Sequence, residues 1–217
     1  LDTTDYAGAS ANVHTGSGDH FTGSTAAGTT DDSVNRSFQI KTIADGAIMN
    51  SGDVTNNDIG TNNTLLTGSK DNLRWEVAST NPKKGTFTLL IRQGNDTIKR
   101  KQVFETWNNL SLDPNSNNYI SKVVGDQYAT FAGTSTDPYL TYTGNYPNKS
   151  KYVYISNVKD TVDYLDENGN VRDGALSASL PGIGSGSWHG AFSGGDNGYA
   201  GFDSFGNPSG TNSSEQY

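Results

Sequence analysis

Cysteine is absent from this chain of 217 residues. That excludes a disulfide framework, a thiol nucleophile and a zinc-thiolate centre. Long apolar runs are absent as well: no stretch approaches the roughly 18 apolar residues of a membrane-spanning helix. Charge is sparse, at 18% of residues, and cations are outnumbered, with 15 Lys and Arg against 23 Asp and Glu for a net charge of −8. An acidic chain is a poor candidate for sequence-independent nucleic-acid binding, which relies on clustered Lys and Arg. Methionine occurs once, at Met49, and the chain opens on Leu1. This reads as a piece or a processed product of a longer protein. Apolar residues reach only 32%, below the roughly 45–50% of typical soluble chains, a range that counts Gly but not Tyr. No repeat of the collagen, coiled-coil or long-bundle kind is present.

What the chain does hold points to strands. Aromatics make up 10%, with 11 Tyr, 8 Phe and 3 Trp, beside 26 Gly and 23 Asn. Disordered chains combine high charge with few aromatics, and this one has the reverse. The expected class is α+β and β-dominated: an antiparallel sheet or sandwich with a few short helices and long Gly/Asn-rich loops. Charge is unevenly spread. Residues 1–69 hold two basic and eight acidic side chains, residues 70–125 nine and five, and residues 126–217 four and ten. A basic centre between acidic flanks suits charge-matched contacts between copies of one protein.

Residues 1–35 are mostly small and polar, which predicts an extended arm or decorated loop, because such a segment cannot bury a core by itself. Residues 36–165 form the expected sheet-centred body, and 166–217 a hairpin followed by a Gly- and aromatic-rich segment. Alternation predicts strands over 38–43 and over Leu73, Trp75 and Val77. The turn residues Asn81-Pro82-Lys83-Lys84-Gly85 and Gln93-Gly94-Asn95-Asp96 bracket a strand over 86–92. A third strand over 97–107 completes an antiparallel meander. Asp113 as N-cap, Pro114 at the first helical position and Gly125 as a stop predict an amphipathic helix over 114–124 lying on the sheet. Its apolar face is Tyr119, Ile120, Val123 and Val124. Further extended stretches are predicted from Tyr128 and over 151–156 and 159–165, with Asn168-Gly169 as a hairpin turn.

The search for chemistry yields no catalytic constellation. His14 and His20 have no metal-ligand spacing. Ser187, His189 and Asp196 can be written as a triad, yet no nucleophile elbow accompanies them. Gly182 to Gly186 has neither the Lys of a phosphate loop nor the glycine spacing of a dinucleotide fingerprint. Asp166, Asn168, Asn170 and Asp173 begin like a calcium loop, but Val171 stands where Gly is needed and no Glu closes it. Glu76 and Glu105, on neighbouring predicted strands, are the available pair of carboxylates for acid–base work. Asn-x-Ser/Thr triplets at Asn35, Asn62, Asn95, Asn109, Asn148 and Asn212 are expected by chance in so Asn-, Ser- and Thr-rich a chain. Tyr139, Tyr142 and Tyr146 offer an aromatic platform for a sugar. The residues alone therefore give a β-rich domain that is structural or binding, with a carbohydrate- or surface-binding module as the alternative function.

The segment 85–124 carries a resemblance. Gly85-Thr86-Phe87-Thr88-Leu89-Leu90-Ile91-Arg92 is followed by Glu105-Thr106-Trp107-Asn108-Asn109-Leu110-Ser111, then by Asp113-Pro114-Asn115-Ser116-Asn117-Asn118-Tyr119-Ile120. In order and spacing this resembles the tail sheath protein of contractile-tailed bacteriophages. Asp45-Gly46-Ala47-Ile48-Met49-Asn50 resembles a Pro-Gly-x-Trp-Gly-Asn segment of that family, departing at Pro and Trp. Ser193 to Gly198 resembles its Gly-Gly-x-Asp-Gly segment, shifted by one at the Asp. The resemblance implies a structural subunit of the virion. Its copies polymerise around a tail tube in the host cytoplasm and contract to drive the tube through the host envelope. The implied partners are other sheath copies, the tube protein, and baseplate and tail-terminator proteins, with no nucleic acid, membrane insertion, cofactor, metal or catalytic site. It also implies that Phe87, Leu89 and Ile91 share a sheet face, that Glu105 anchors a strand-to-loop junction by hydrogen bonds, and that Tyr119 packs a short helix on the sheet.

Overall fold

The computed structural model describes residues 6–15, 36–45, 73–94, 96–134, 136–185, 190, 192 and 196–197. These form a β-dominated α+β fold of small antiparallel sheets. In chain order the elements are β1 (Tyr6–His14), β2 (Arg36–Asp45), β3 (Leu73–Asn81), β4 (Thr86–Gln93), β5 (Val103–Ser111), α1 (Ile120–Val123), β6 (Tyr128–Thr134), β7 (Asp137–Thr143), β8 (Val153–Ser156), α2 (Gly174–Ser177) and β9 (Asp196–Asn197). One sheet has the order β8-β2-β1-β9, a second is the β3-β4-β5 meander, and β6 and β7 form a separate hairpin.

Period-two alternation sends one side of each strand inward. Val13 of β1, Phe38 and Ile40 of β2, and Val153 and Ile155 of β8 are buried from the first sheet. Val77 of β3 and Phe87, Leu89 and Ile91 of β4 are buried from the meander. They belong to one core, and the rings of Phe38 and Phe87 stack across it with centroids 5.5 Å apart. The β3–β4 turn closes through Gly85 at φ +65. A Cβ there would come within 2.5 Å of the Tyr164 ring, so both the backbone sign and the space require glycine.

Four expectations are corrected. Residues 6–14, read as part of an arm, are a strand that pairs with β2 and inserts Val13 into the core. A polar segment cannot nucleate a core, but an existing sheet edge lets two inward side chains suffice. The meander's third strand does not start at 97: Thr97 to Arg100 form a tight turn, with the Arg100 N–H on the Thr97 carbonyl at 3.0 Å. The strand begins at Val103 and runs on through Asn108 and Asn109 to Ser111. Helix 114–124 shrinks to Ile120–Val123. Asp113 Oδ1 does accept the Asn115 N–H at 2.9 Å, as an N-cap would, but the chain then closes separate turns, with the Ser116 N–H on the Asp113 carbonyl at 3.0 Å and the Tyr119 N–H on the Ser116 carbonyl at 3.2 Å. Residues 159–165 are not a strand. They cross the end of the meander, where the Thr161 N–H meets the Leu112 carbonyl at 3.0 Å.

Candidate functional site

The densest polar chemistry among the described residues lies at the end of the meander where β4 gives way to β5. Arg92 is the largest fully buried side chain. A buried guanidinium must spend its donors on partners. Its Nε and Nη2 grip the two Asp96 oxygens at 2.8 and 2.6 Å, and Nη1 donates to Glu76 Oε2 at 2.8 Å. Lys101 Nζ donates to the other Glu76 oxygen at 2.6 Å. Arg74 Nη1 donates to the Asp96 carbonyl at 2.9 Å, and the Gln102 N–H to Asp96 Oδ2 at 3.0 Å. Burial would raise the Asp96 carboxyl, but the Arg92 hydrogen bond, the Gln102 N–H and the charges of Arg92 and Arg74 hold it below its ordinary value. The hydrogen bond to Asp96 likewise raises Arg92 against its burial. Each carboxylate oxygen of Asp96 and Glu76 receives a cation or an amide. The arrangement clasps β3, β4 and the 94–102 connection, and it leaves no carboxylate oxygen of these two residues without a donor.

Glu105 forms a second junction. Its Oε2 accepts from Trp107 Nε1 at 3.1 Å and Ser150 Oγ at 2.7 Å, and its Oε1 from the Lys151 N–H at 2.9 Å. The side chain ties β5 to the approach to β8. Glu76 and Glu105 are not a catalytic pair. In the register Glu76 stands opposite Leu90 and Glu105 opposite Ile91, one position along, so they occupy opposite faces of the sheet. Tyr119 seats α1: its Oη donates to Asp160 Oδ1 at 2.8 Å and its ring meets Tyr146 edge-on at 6.3 Å. Burial, with Asp160 adding to it, pushes the Tyr119 phenol up to about 12.

The remaining candidates do not converge. His14 lies half-buried on β1, while His20, Ser187 and His189 lie outside the described residues. Gly184 and Val77 exchange two backbone hydrogen bonds at 2.8 Å, and the Gly182 N–H goes to the His14 carbonyl at 2.9 Å. The Gly-rich segment thus gives these amides to strand edges instead of presenting them to a phosphate. Asp166 Oδ1 accepts the Asn168 and Asn170 N–H groups at 2.9 and 2.7 Å. These bonds hold the carboxyl below its ordinary value and close the Asn-Gly turn. No cluster of metal-ligating side chains occurs among the described residues. Tyr139 and Tyr142 point to opposite faces of the hairpin, and Tyr146 packs on Tyr119, so the three form no platform. Sequence reasoning missed the Arg92 clasp. The only signal was Arg92 at an otherwise apolar strand's end, four residues before Asp96.

Compared with protein-family models, with curated proteins and with solved structures, the chain matches none.

Proposed function

We propose that the chain is a non-catalytic structural subunit, part of a contractile-tail bacteriophage sheath protein. In this reading its copies assemble around a tail tube in the virion, between baseplate and terminator, and contract to drive the tube through a host envelope. The observation that carries the reading is the use made of the motif residues in 85–120. Phe87, Leu89 and Ile91 fill the core, Glu105 holds the 150–151 loop, and Tyr119 seats a short helix. The motif is spent on holding a shape, which is what a load-transmitting subunit requires and what a catalytic motif does not do. Electron microscopy of the intact protein is the test: hollow striated tubes support the proposal, and an intact protein that stays monodisperse under tail-assembly conditions refutes it.

A surface-binding module is the second reading. Phe104 stacks on Tyr152 at 5.2 Å and Tyr128 on Tyr154 at 5.4 Å, with Phe104 and Tyr128 partly exposed. Glycan-array binding abolished by Tyr128→Ala with the fold retained would favour it.

A further inference from the structure

Two exposed patches of opposite charge lie at opposite ends of the β3–β4–β5 meander, each centred on an exposed aliphatic side chain. Between β4 and β5, Ile98 is 66% exposed and is followed by Lys99, Arg100 and Lys101, with no acidic residue between 97 and 104. Lys101 is engaged by Glu76; no ion pair among the described residues engages Lys99 or Arg100. At the other end, Val162 is 52% exposed within residues 160–173, which hold Asp160, Asp163, Asp166, Glu167 and Asp173 against Arg172 alone. Tyr164 Oη pins this segment to the β3–β4 turn through the Pro82 carbonyl at 2.6 Å. Thr161 pins it to Leu112 at 3.0 Å. The end stays net acidic with Lys83 and Lys84 of that turn counted.

The eight residues of β4 separate the ends by about 27 Å at about 3.4 Å per residue. That is several Debye lengths at about 0.15 M salt, where the length is about 8 Å. The patches therefore cannot neutralise each other within one molecule. Between molecules they can, and an apolar centre with a charged rim is the usual anatomy of a protein contact.

We infer that the 97–101 tip of one copy seats on the 160–167 segment of a second copy, with Ile98 against Val162 and Lys99 and Arg100 facing Asp163 and Glu167. The inference rests on the assembly reading above and names the contact. A single contact leaves one patch unused on each copy, so repeating it runs head to tail and yields a ring or filament, whereas a twofold pair would make the contact twice, side by side and antiparallel.

Sedimentation of the chain tests it. At about 0.01 M salt the wild type should associate with rising concentration, and about 0.15 M salt should reverse this. K99E/R100E carries acid at both ends, and D163N/E167K removes or reverses two carboxylates while keeping at 163, where φ is 52, a residue that tolerates positive φ. Each variant should lose association by about tenfold or more, and an equimolar mixture should recover it, because each now complements the other. Circular dichroism confirms that both are folded. Variants that associate like the wild type, a mixture that does not recover, or a wild type monomeric at low salt would each overturn the contact. A wild-type chain that stays monomeric but sediments with phosphatidylglycerol vesicles would assign the basic tip to a lipid surface and overturn it too. Tube formation by the intact protein is read separately, so the contact can fail while the assembly reading stands.

Discussion

Replacing Asp96 with Asn should destabilise the fold more than any other isosteric change among the described residues. The two side chains of the pair are 2% and 0% exposed, with Arg92 Nη2 and Asp96 Oδ1 2.6 Å apart. Asn keeps the volume but removes the charge, and its amide presents donors to a guanidinium that itself has only donors. Glu76 alone then faces the buried cation. Breaking a buried pair by removing one partner costs about 3–5 kcal/mol. A loss of about 4 kcal/mol, at a slope of about 2 kcal/mol per molar urea, lowers the unfolding midpoint by about 2 M. Replacing both partners with apolar residues, as in R92M/D96L, should recover much of that loss, because no uncompensated charge remains. The pair also sets an acid limit. Asp96 is held below its ordinary value of 3.8, so the unfolded chain binds the proton first as pH falls. The stability from this carboxylate is complete above about 3.8 and is lost on descending through the depressed folded value. Urea titration at neutral pH and at pH about 3 reads both effects. A midpoint shift below about 0.5 M for Asp96→Asn would show that water reaches the pair and would refute the reasoning.

Glu105→Gln should cost about 1–3 kcal/mol by weakening the hold on Ser150 and Lys151, read by thermal unfolding and by faster amide exchange at 150–153. Gly85→Ala should destabilise by about 1–3 kcal/mol, since positive φ and the Tyr164 ring both oppose a Cβ; a neutral result would mean the ring is not seated there. Tyr119 contributes an alkaline limit. Its phenol is raised to about 12 from an ordinary 10.0, so its stabilisation is complete below about pH 10 and is lost as pH rises through about 12. Burial raises Tyr154 and Tyr164 as well, so ultraviolet titration should find several late-titrating tyrosines, and Tyr119→Phe should remove one of them. Tyr142→Ser, on the exposed face of the β6–β7 hairpin, should move stability by no more than about 0.5 kcal/mol.

The β-rich class, the meander and its first turn were legible in the sequence because they are local, whereas the second connection runs on to Gln102. Alternation in Leu73-Trp75-Val77 and Phe87-Leu89-Ile91 marks the inward faces, and Pro82 and Gly85 fix a turn by their own backbone limits. Glu105's anchoring role followed only from the resemblance, and the ligands that fulfil it, Ser150 and Lys151, lie 45 and 46 residues on. Three features were decided by tertiary structure alone. Residues 6–14 are a strand because β2 supplies a partner; their own composition would leave them open. Helix 114–124 shortened because 113–119 closes tight turns, with the Ser116 N–H on the Asp113 carbonyl at 3.0 Å and the Tyr119 N–H on the Ser116 carbonyl at 3.2 Å, and because the Asn118 carbonyl accepts the Ser111 N–H at 2.8 Å; the helical ladder starts only with the Val123 N–H on the Tyr119 carbonyl at 2.9 Å. The Arg92 clasp gathers Arg74 and Glu76 from β3, Arg92 from β4, and Asp96, Lys101 and Gln102 from the connection to β5. Register is what assembles it. Sequence states which charges exist, but only strand pairing puts Glu76 and Asp96 around one buried guanidinium, and only burial makes that encounter matter.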